Sequence, residues 1–188
     1  MTRIVAGTAG GRRLRVPPAG TRPTSDRVRE ALFSVLAARL DFDGLRVVDL
    51  YAGSGALGLE ALSRGASRAL LVESDRKAAA VIRGNIGDLG LPGAELRPGA
   101  VASVLAGGPS GGPYDLVFSD PPYDLDVTQV IADLAALAEH GWLAEDALIV
   151  VERSSRSPEL FWPAGYYALK SRTYGETRID LAEYSSES

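Results

Sequence analysis

The chain lacks cysteine altogether and has a single histidine, His140, among its 188 residues. Without cysteine it forms no disulfide bonds and no thiolate metal sites, and one histidine excludes a metal centre built from several imidazoles. Long apolar runs are also missing, since no stretch approaches the roughly 18 residues that a membrane helix requires. The N-terminus, MTRIVAGTAGGRRLRV, has neither the apolar segment nor the cleavage site of a signal peptide. We therefore expect a cytoplasmic protein that does not enter a membrane.

The net charge of −4 is unevenly distributed along the chain. Residues 1–29 contain seven arginines and one acid, Asp26, for a net charge of +6, so the remainder carries −10. This asymmetry indicates that a polyanion contacts the N-terminal end, although a basic face that is merely solvated would give the same pattern. The overall acidity argues against indiscriminate nucleic-acid binding. The arginines that we expect to contact RNA are Arg12, Arg13, Arg15, Arg22 and Arg27.

A chain of this length is most simply one domain with a short appendage. Strand-like patterns at residues 3–6 and 13–16 flank the glycine-rich GTAGG and predict a small hairpin, which the linker PPAGTRP follows. We therefore divide the chain into a basic hairpin extension with its linker, residues 1–23, and a main domain, residues 24–188.

Strand and helix patterns alternate through most of the main domain. A first helix is predicted from about Asp26 to Leu40, capped by Thr24 or Ser25, with its apolar side chains on one face. Apolar strand runs follow at 46–51, 68–74, 94–98, 114–120 and 147–152. Helical patterns cover about 57–64, 76–88, 100–106 and 127–138. Buried strands separated by helices predict a doubly wound α/β fold with a mostly parallel sheet.

The C-terminal segment has a different pattern. Residues 166–184, YYALKSRTYGETRIDLAEY, read as two alternating strands around Tyr174-Gly175-Glu176. This pattern predicts an antiparallel hairpin. Added to the five apolar runs, the hairpin predicts a seven-stranded sheet whose last strands lie at an edge.

A glycine-rich turn, within DLYAGSGALGLEALSRG, follows the first apolar strand and opens a helix. Gly53, Gly55 and Gly58 satisfy G-x-G-x-x-G, in which the backbone approaches a nucleotide closely. Glu73 follows Gly53 by twenty residues and ends the next strand, where a carboxylate can bind ribose hydroxyls. The alternative is a tight turn that only packs a helix on a strand.

Asp49 lies four residues before Gly53, at the mouth of the same strand. A buried carboxylate there would repel the pyrophosphate of a dinucleotide. It suits a ligand that carries an ammonium group and a ribose, and S-adenosyl-L-methionine has both. The residues therefore favour this cofactor over NAD.

The tetrapeptide Asp120-Pro121-Pro122-Tyr123 ends the fourth apolar strand. Two consecutive prolines cannot continue a central strand, and ligands of open α/β sheets bind beyond the carboxyl ends of the strands. We therefore expect the tetrapeptide to face the same crevice as the glycine turn. A proline-terminated strand with a core tyrosine is the alternative, but it leaves the upstream Asp49 and Glu73 unexplained.

An exocyclic amine on an aromatic ring would explain the composition of this tetrapeptide. Its lone pair is delocalised into the ring, which makes the nitrogen a poor nucleophile. If Asp120 and a backbone carbonyl such as that of Pro121 accept both N–H bonds, the lone pair turns toward the sulfonium methyl group. Tyr123 offers a ring on which the base can stack, worth roughly 1–3 kcal/mol. We therefore assign catalysis to Asp120, Pro121, Pro122 and Tyr123.

This combination resembles the amino-directed, S-adenosyl-L-methionine-dependent nucleic-acid methyltransferases, whose motif is [D/N/S]-P-P-[Y/F/W]. The resemblance extends to the RsmD family of bacterial 16S rRNA guanine-N2 methyltransferases and covers essentially the whole chain. The motifs, in the family's order, are RIVAGTAGGRRLRVP, RPTSDRVREALFSVL, DLYAGSGALGLEALSRG, FSDPPY and YGETRIDL. The two N-terminal motifs are the most specific, because general methyltransferases lack them.

The resemblance implies a Rossmann-like methyltransferase fold and a monomer that acts without metal. It also implies a substrate, a guanine in a hairpin loop of 16S rRNA within the assembled or nearly assembled small ribosomal subunit. The cofactor site predicted from the turn and the resemblance comprises Asp49, Tyr51, Gly53, Ser54, Gly55, Gly58, Glu73, Ser74, Ala100 and Thr24.

Several positions carry a weaker prediction. Ala100 stands where many relatives have Asn or Asp, so its side chain offers no hydrogen bond to adenine and backbone groups would serve instead. Arg22, Thr24 and Arg27 could reach either the methionine carboxylate or an RNA phosphate. His140 is interpreted as a helix-end residue.

Three other functions fit part of the sequence. A DNA adenine-N6 methyltransferase shares the Asp-Pro-Pro-Tyr motif, but it usually needs a target-recognition domain for which 188 residues leave little room. A small NAD-dependent reductase fits the glycine turn and leaves that motif unexplained. A non-catalytic RNA-binding module accounts for the arginines and not for the glycine turn.

Overall fold

A computed structural model of the chain describes residues 2–18 and 25–187. The strands are β1 Thr2–Arg3, β2 Arg13–Leu14, β3 Arg46–Leu50, β4 Arg68–Glu73, β5 Ala94–Pro98, β6 Tyr114–Ser119, β7 Leu143–Ser154, β8 Tyr166–Ala168, β9 Arg172–Tyr174 and β10 Thr177–Tyr184. The helices are α1 Asp26–Ala37, α2 Ala56–Ser63, α3 Arg76–Leu89, α4 Val101–Ala106 and α5 Val127–Glu139. None of these helices is long and apolar enough to cross a membrane.

The main sheet has the order β5-β4-β3-β6-β7-β10-β8, with β9 also paired to β10. The first five of these strands are parallel to one another, and β10 is antiparallel to β7. β8 and β9 pair with opposite ends of the same side of β10, so eight strands occupy seven positions. The predicted seven-stranded, mostly parallel sheet with a C-terminal hairpin is confirmed.

Both outer edges of this sheet are interrupted or charged. On one side, the edge belongs to β8 and β9, which are three residues long each. On the other side, β5 reads AELRP, so its five residues include two charged side chains and a proline.

Helices cover both faces of the sheet, because each helix has one apolar stripe. On one face α1, α2 and α3 pack against the sheet through side chains such as Phe33, Leu59 and Ile82. On the other face α4 and α5 pack through Leu105 and Leu134. This is the doubly wound arrangement that the alternating pattern predicted.

Several predicted boundaries differ from the observed ones: the two strands of the N-terminal hairpin end earlier, at Arg3 and Leu14, and β7 begins earlier, at Leu143. α1 ends at Ala37, three residues early, because the amides of Arg39 and Leu40 both donate to the Leu36 carbonyl and close the last turn. β7 runs to Ser154, beyond the predicted end at residue 152, because its last residues pair with the start of β10.

A buried carboxylate, Glu60 of α2, joins the N-terminal hairpin to the main domain. It accepts hydrogen bonds from the backbone amides of Val5 (2.8 Å) and Ala6 (3.1 Å) and from the guanidinium groups of Arg29 and Arg64. Arg29 is fully buried and also contacts Asp26 (2.8 Å). One of the seven basic N-terminal charges is therefore used inside the fold.

The hairpin shares its core with the main domain. Ile4, Ala9 and Leu14 are buried in the same apolar cluster as the helices α1 to α3. The division at residues 23 and 24 lies outside the described residues and stays a prediction.

Replacing Glu60 with alanine should destabilise the protein by about 3–5 kcal/mol, because the buried Arg29 would lose its fully buried carboxylate partner. Urea denaturation of the purified variant measures the change. The control is Asp88→Ala, which removes the Arg15–Asp88 pair of the same region, whose side chains are 61% and 45% exposed. That variant should lose less than about 1 kcal/mol. Equal losses in the two variants would contradict the role of Glu60.

Candidate functional site

The candidate site lies where the order of the strands reverses. From β3 the chain continues to β4 and β5 on one side, and it later returns to β6 on the other side of β3. Leu50 of β3 pairs with Ser119 of β6, and the amide of Asp120 donates to the Leu50 carbonyl at 3.3 Å. The glycine turn after β3 and the tetrapeptide after β6 therefore leave the sheet side by side, at the position where open α/β sheets bind ligands.

Asp49 is a buried acid beneath the glycine turn. Its Oδ2 accepts from the Gly58 amide at 3.0 Å, whereas its Oδ1 has no hydrogen-bond partner among the described residues. Burial raises the pKa of Asp49 from 3.8 to about 8, because desolvation outweighs the Gly58 bond and the charges of Glu73 and Glu152 add to it. An unpaired buried oxygen of this kind is suited to a cationic donor from a ligand.

Glu73 holds the glycine turn in place from the end of β4. Its Oε1 accepts from the Gly53 amide at 2.8 Å, and its Oε2 accepts from the Asp75 amide at 2.9 Å. Each oxygen retains a lone pair for a hydroxyl donor. The predicted ribose acceptor is thus fixed in orientation by two backbone bonds before any ligand binds.

Gly58 allows the first turn of α2 to lie directly against β3 and β4. A Cβ at this position would be 2.3 Å from Cδ2 of Leu71 and 3.3 Å from the Asp49 carboxylate. A larger residue would therefore force the Leu71 side chain to move and would press against Asp49. Gly58 supports the site through Asp49, from a buried position.

Tyr51 connects the glycine turn to α5. Its backbone has φ +58°, a left-handed conformation that is strained for a residue with a side chain. The hydroxyl donates to the carboxylate of Asp133, which also accepts from Gln129. Burial and the bond to Asp133 raise the pKa of Tyr51, so the group stays a donor. The strain is maintained because this bond ties the turn to the opposite helix layer.

Asn85 links the N-terminal segment to the same turn. Its Nδ2 donates to the carbonyls of Ser54 (2.8 Å) and Arg15 (3.0 Å), and its Oδ1 accepts from the Arg15 amide at 2.8 Å. The side chain is fully buried. The residues that follow the hairpin are therefore held against the turn by one amide group.

The tetrapeptide forms a rigid corner at the carboxyl end of β6. Pro121 is buried, and Tyr123 is 42% exposed. The Leu125 amide donates to the Pro122 carbonyl at 2.9 Å and closes the turn. Beyond the corner, a cleft of about 70 Å³ separates this loop and the start of α5 from the end of β7.

The other predicted cofactor residues lie along the same edge. Gly55 caps α2, and Ser74 and Ala100 are exposed after β4 and β5. The Gly99 amide donates to the Glu73 carbonyl at 3.0 Å, which brings Ala100 beside the acid. Thr24 lies outside the described residues.

The predicted RNA-binding arginines fall into two groups. The hairpin tip packs on the end of α2, where the amide of Thr8 donates to the Ser63 carbonyl. Arg12 and Arg15 both contact the end of α3. Arg12 donates to the Asp88 carbonyl at 2.7 Å, and Arg15 donates to the Asp88 carboxylate at 3.0 Å. Arg13 is exposed at the hairpin, and Arg27 is exposed in the first turn of α1. Arg22 lies outside the described residues.

Sequence reasoning missed Asn85, Asp133, Glu152 and Arg153 as residues of this region. The signal for Asn85 and Asp133 is a polar residue on the apolar stripe of α3 and of α5. The signal for Glu152 and Arg153 is a pair of charges at the end of the apolar run ALIVV, at the carboxyl edge of the sheet. His140 follows α5 as its C-terminal cap, as predicted.

The chain matches the family model described as conserved hypothetical protein 95 over residues 2–183. It is 37% identical over 186 residues to ribosomal RNA small subunit methyltransferase D of Escherichia coli K12, covering 98% of this chain and 91% of the relative. It is 35% identical over 183 residues to the Bacillus subtilis protein described as "Putative rRNA methyltransferase YlbH", covering 95% and 97%. A solved Escherichia coli structure, described as "Putative methyltransferase yhhF", matches with a TM-score of 0.85, 36% identity and 99% coverage of both chains. The predicted methyltransferase fold is confirmed.

Replacing Asp49 with asparagine should change how stability depends on pH. Between pH about 4 and 8 the folded protein keeps the Asp49 proton that the unfolded chain has lost, so the free energy of unfolding falls as pH rises through this range. The decrease is at most about 1.4 kcal/mol per pH unit for one proton. The asparagine side chain is neutral throughout, so the variant should lose less stability between pH 5 and pH 8.

Urea denaturation at several pH values measures this difference. Asp88→Asn, at an exposed carboxylate, is the control and should follow the wild type. If the curve of the Asp49 variant runs parallel to that of the wild type, Asp49 is ionised in the folded protein and the raised pKa is wrong.

Proposed function

We propose that this chain is an S-adenosyl-L-methionine-dependent rRNA methyltransferase. The chain belongs to the RsmD family, whose model is described as conserved hypothetical protein 95. Its substrate is the exocyclic N2 of a guanine in 16S rRNA. The observation that carries the proposal is the juxtaposition of Asp120-Pro121-Pro122-Tyr123 with the glycine turn at the reversal point of the sheet. Two relatives that align with more than nine-tenths of this chain are named as methyltransferases of small-subunit rRNA.

The residues of the crevice fit the cofactor. The buried Oδ1 of Asp49, which lacks a hydrogen bond within the described chain, would accept from its ammonium group. Because a cation beside Asp49 favours the ionised carboxylate, Asp49 would release its proton when the cofactor binds. The carboxylate of Glu73, already held by the Gly53 and Asp75 amides, would accept from the ribose hydroxyls. When bound, S-adenosyl-L-methionine supplies a methyl group on a sulfonium sulfur, and the C–S electron pair stays with the sulfur as the methyl group leaves.

Asp120 and the Pro121 carbonyl prepare the amine for attack. By accepting its two N–H bonds they direct the nitrogen lone pair toward the methyl group, and the new N–C bond forms from that pair. The nitrogen becomes cationic and releases one proton, for which Asp120 is the nearest acceptor in this arrangement. Because the prolines fix the carbonyl, little reorganisation is needed in the transition state.

The family relationship also supports the finer features of the substrate. We assign the target guanine to the assembled or nearly assembled small subunit. We also infer that the chain acts as a monomer. A ribosomal substrate would place the reaction in the cytoplasm. The N-terminal arginines supply the phosphate contacts. α2 has eight residues and is about 12 Å long. An RNA hairpin whose target base enters the crevice therefore also reaches the tip of the protein's N-terminal β-hairpin, at the other end of α2.

The test is to incubate the protein with unmethylated small subunits and S-adenosyl-L-methionine and to map methylated guanines by mass spectrometry. We expect one N2-methylguanine in 16S rRNA. In a parallel thermal-shift measurement, S-adenosylhomocysteine should stabilise the protein and NAD should not. Stabilisation by NAD alone, with no methylated guanine, would overturn the proposal in favour of a reductase.

Asp120→Ala should lower the turnover rate about 10²–10³-fold, because it removes an acceptor aimed at charge that develops on the amine. Its affinity for S-adenosylhomocysteine, measured by calorimetry, should stay at the wild-type value. Glu73→Ala is the matched variant and should lose roughly 1.5–3 kcal/mol of cofactor affinity. Near wild-type turnover in the Asp120 variant would rule out the amine-directing mechanism.

Replacing both Arg12 and Arg13 with alanine should weaken binding to the small subunit and flatten its salt dependence. Each lost phosphate contact should reduce the slope of log affinity against log salt by about 0.7 for single-stranded RNA. Arg39→Ala, an exposed arginine just after α1, is the control and should leave the slope unchanged. An unaltered slope in the double variant would show that the hairpin does not contact RNA. A loss of cofactor binding equal to the loss of RNA binding would show that the hairpin belongs to the cofactor pocket.

A further inference from the structure

The cleft beside the tetrapeptide contains a buried arginine that the proposed mechanism does not use. Arg153, near the end of β7, lines this cleft and is only 5% exposed. Its Nη1 is buried and has no hydrogen-bond partner within the described chain. An unpaired buried donor is costly, so a natural structure that keeps one has a reason to do so.

The nearest acid does not satisfy Arg153. Oδ2 of Asp180 lies 3.8 Å from Nη1, which is beyond hydrogen-bond distance. The same oxygen is 3.3 Å from Nε of Arg178, and Oδ1 of Asp180 accepts from Ser171 at 2.9 Å. One carboxylate thus serves two guanidinium groups, and the guanidinium of Arg153 retains capacity for another acceptor.

The walls of the cleft indicate what kind of acceptor enters it. One wall consists of the tetrapeptide and the start of α5, with Pro121, Pro122, Tyr123, Leu125, Val127 and Val130. The end of β7 and the residues after it form the other, more polar wall, with Glu152, Arg153, Ser154, Ser157 and Pro158. The apolar wall with its aromatic ring suits the face of a nucleobase, and the carboxylate of Glu152 on the other wall disfavours a phosphate. The cleft therefore suits the edge of a base placed beside Arg153.

We infer that Arg153 binds the O6 and N7 edge of the target guanine while Asp120 holds the N2 amine on the other side of the ring. The inference rests on the proposed function and adds the residue that recognises the base. Guanine presents two acceptors on this edge, and an arginine binds both with its planar fork. Adenine has an amino group, a donor, in place of O6. That donor would face the donors of Arg153, so adenine is rejected.

A matched variant distinguishes recognition of the base by Arg153 from a purely structural role of this residue. Arg178 pairs with Arg153 across β7 and β10 and contacts the same Asp180, but it does not line the cleft. Arg153→Lys keeps the charge near Asp180 and loses the fork. We expect it to lower kcat/KM on small subunits about tenfold to a hundredfold, with wild-type cofactor affinity and melting temperature. Arg178→Lys should keep wild-type kcat/KM.

A second measurement detects the contact directly. Small subunits are assembled from rRNA in which a few per cent of the guanines are replaced by 7-deazaguanine, which keeps N2 and O6 and lacks the N7 acceptor. Mass spectrometry gives the ratio of N2-methyl-7-deazaguanine to N2-methylguanine after reaction. The wild type should methylate the analogue less than its incorporated fraction, and Arg153→Lys should methylate it in proportion to that fraction.

The outcomes distinguish this inference from the proposed function. If the wild type methylates no guanine, the proposed function fails. If it methylates guanine and the analogue in proportion to their abundance, Arg153 does not bind N7 and the inference fails; a loss of activity in Arg153→Lys would then point to a phosphate contact. Equal losses in the Arg153 and Arg178 variants would reduce both arginines to structural partners of Asp180.

Discussion

The fold around the site depends on one buried carboxylate, that of Glu60. It accepts from the backbone of the N-terminal hairpin and from arginines of α1 and of its own helix, so three segments distant in sequence meet at one side chain. Because α2 is fixed in this way, its first turn can lie on β3 with only the width of Gly58 between them. The Gly58 amide then reaches Asp49, and the geometry of the cofactor turn follows from the position of the helix.

The crevice is organised in advance by bonds within the protein. Glu73 holds the Gly53 amide, Tyr51 reaches across to Asp133, and Asn85 holds the Ser54 carbonyl. Each bond connects the turn to a different element, β4, α5 or α3, so the turn cannot move without disturbing both faces of the sheet. Such preorganisation reduces the ordering that ligand binding must still provide. The exception is the unpaired oxygen of Asp49, which is where a charged ligand has most to contribute.

Much of this arrangement could be predicted from sequence, because it depends on local patterns. The apolar runs predicted the parallel strands, and the spacing of Gly53, Glu73 and Asp120 placed three groups at one edge of the sheet. Long-range pairing is not encoded in such patterns. Arg29 was only one of the seven N-terminal arginines in the charge count, and only the tertiary fold brings it to Glu60. Arg153 could not be separated from an ordinary strand end, since its significance comes from a loop thirty residues earlier in the chain and from the shared Asp180.

The two edges of the main sheet have a consequence for the behaviour of the protein at high concentration. An edge strand with free amides and carbonyls can pair with the edge of another molecule and start aggregation. Here β8 and β9 divide one edge into two pieces of three residues, and the charged side chains and proline of β5 interrupt the other. Neither edge offers a long, flat, apolar ladder within the described residues. In the proposed function the enzyme reaches a ribosomal particle as a monomer. The interrupted edges of the sheet keep such monomers from associating and so supply colloidal stability.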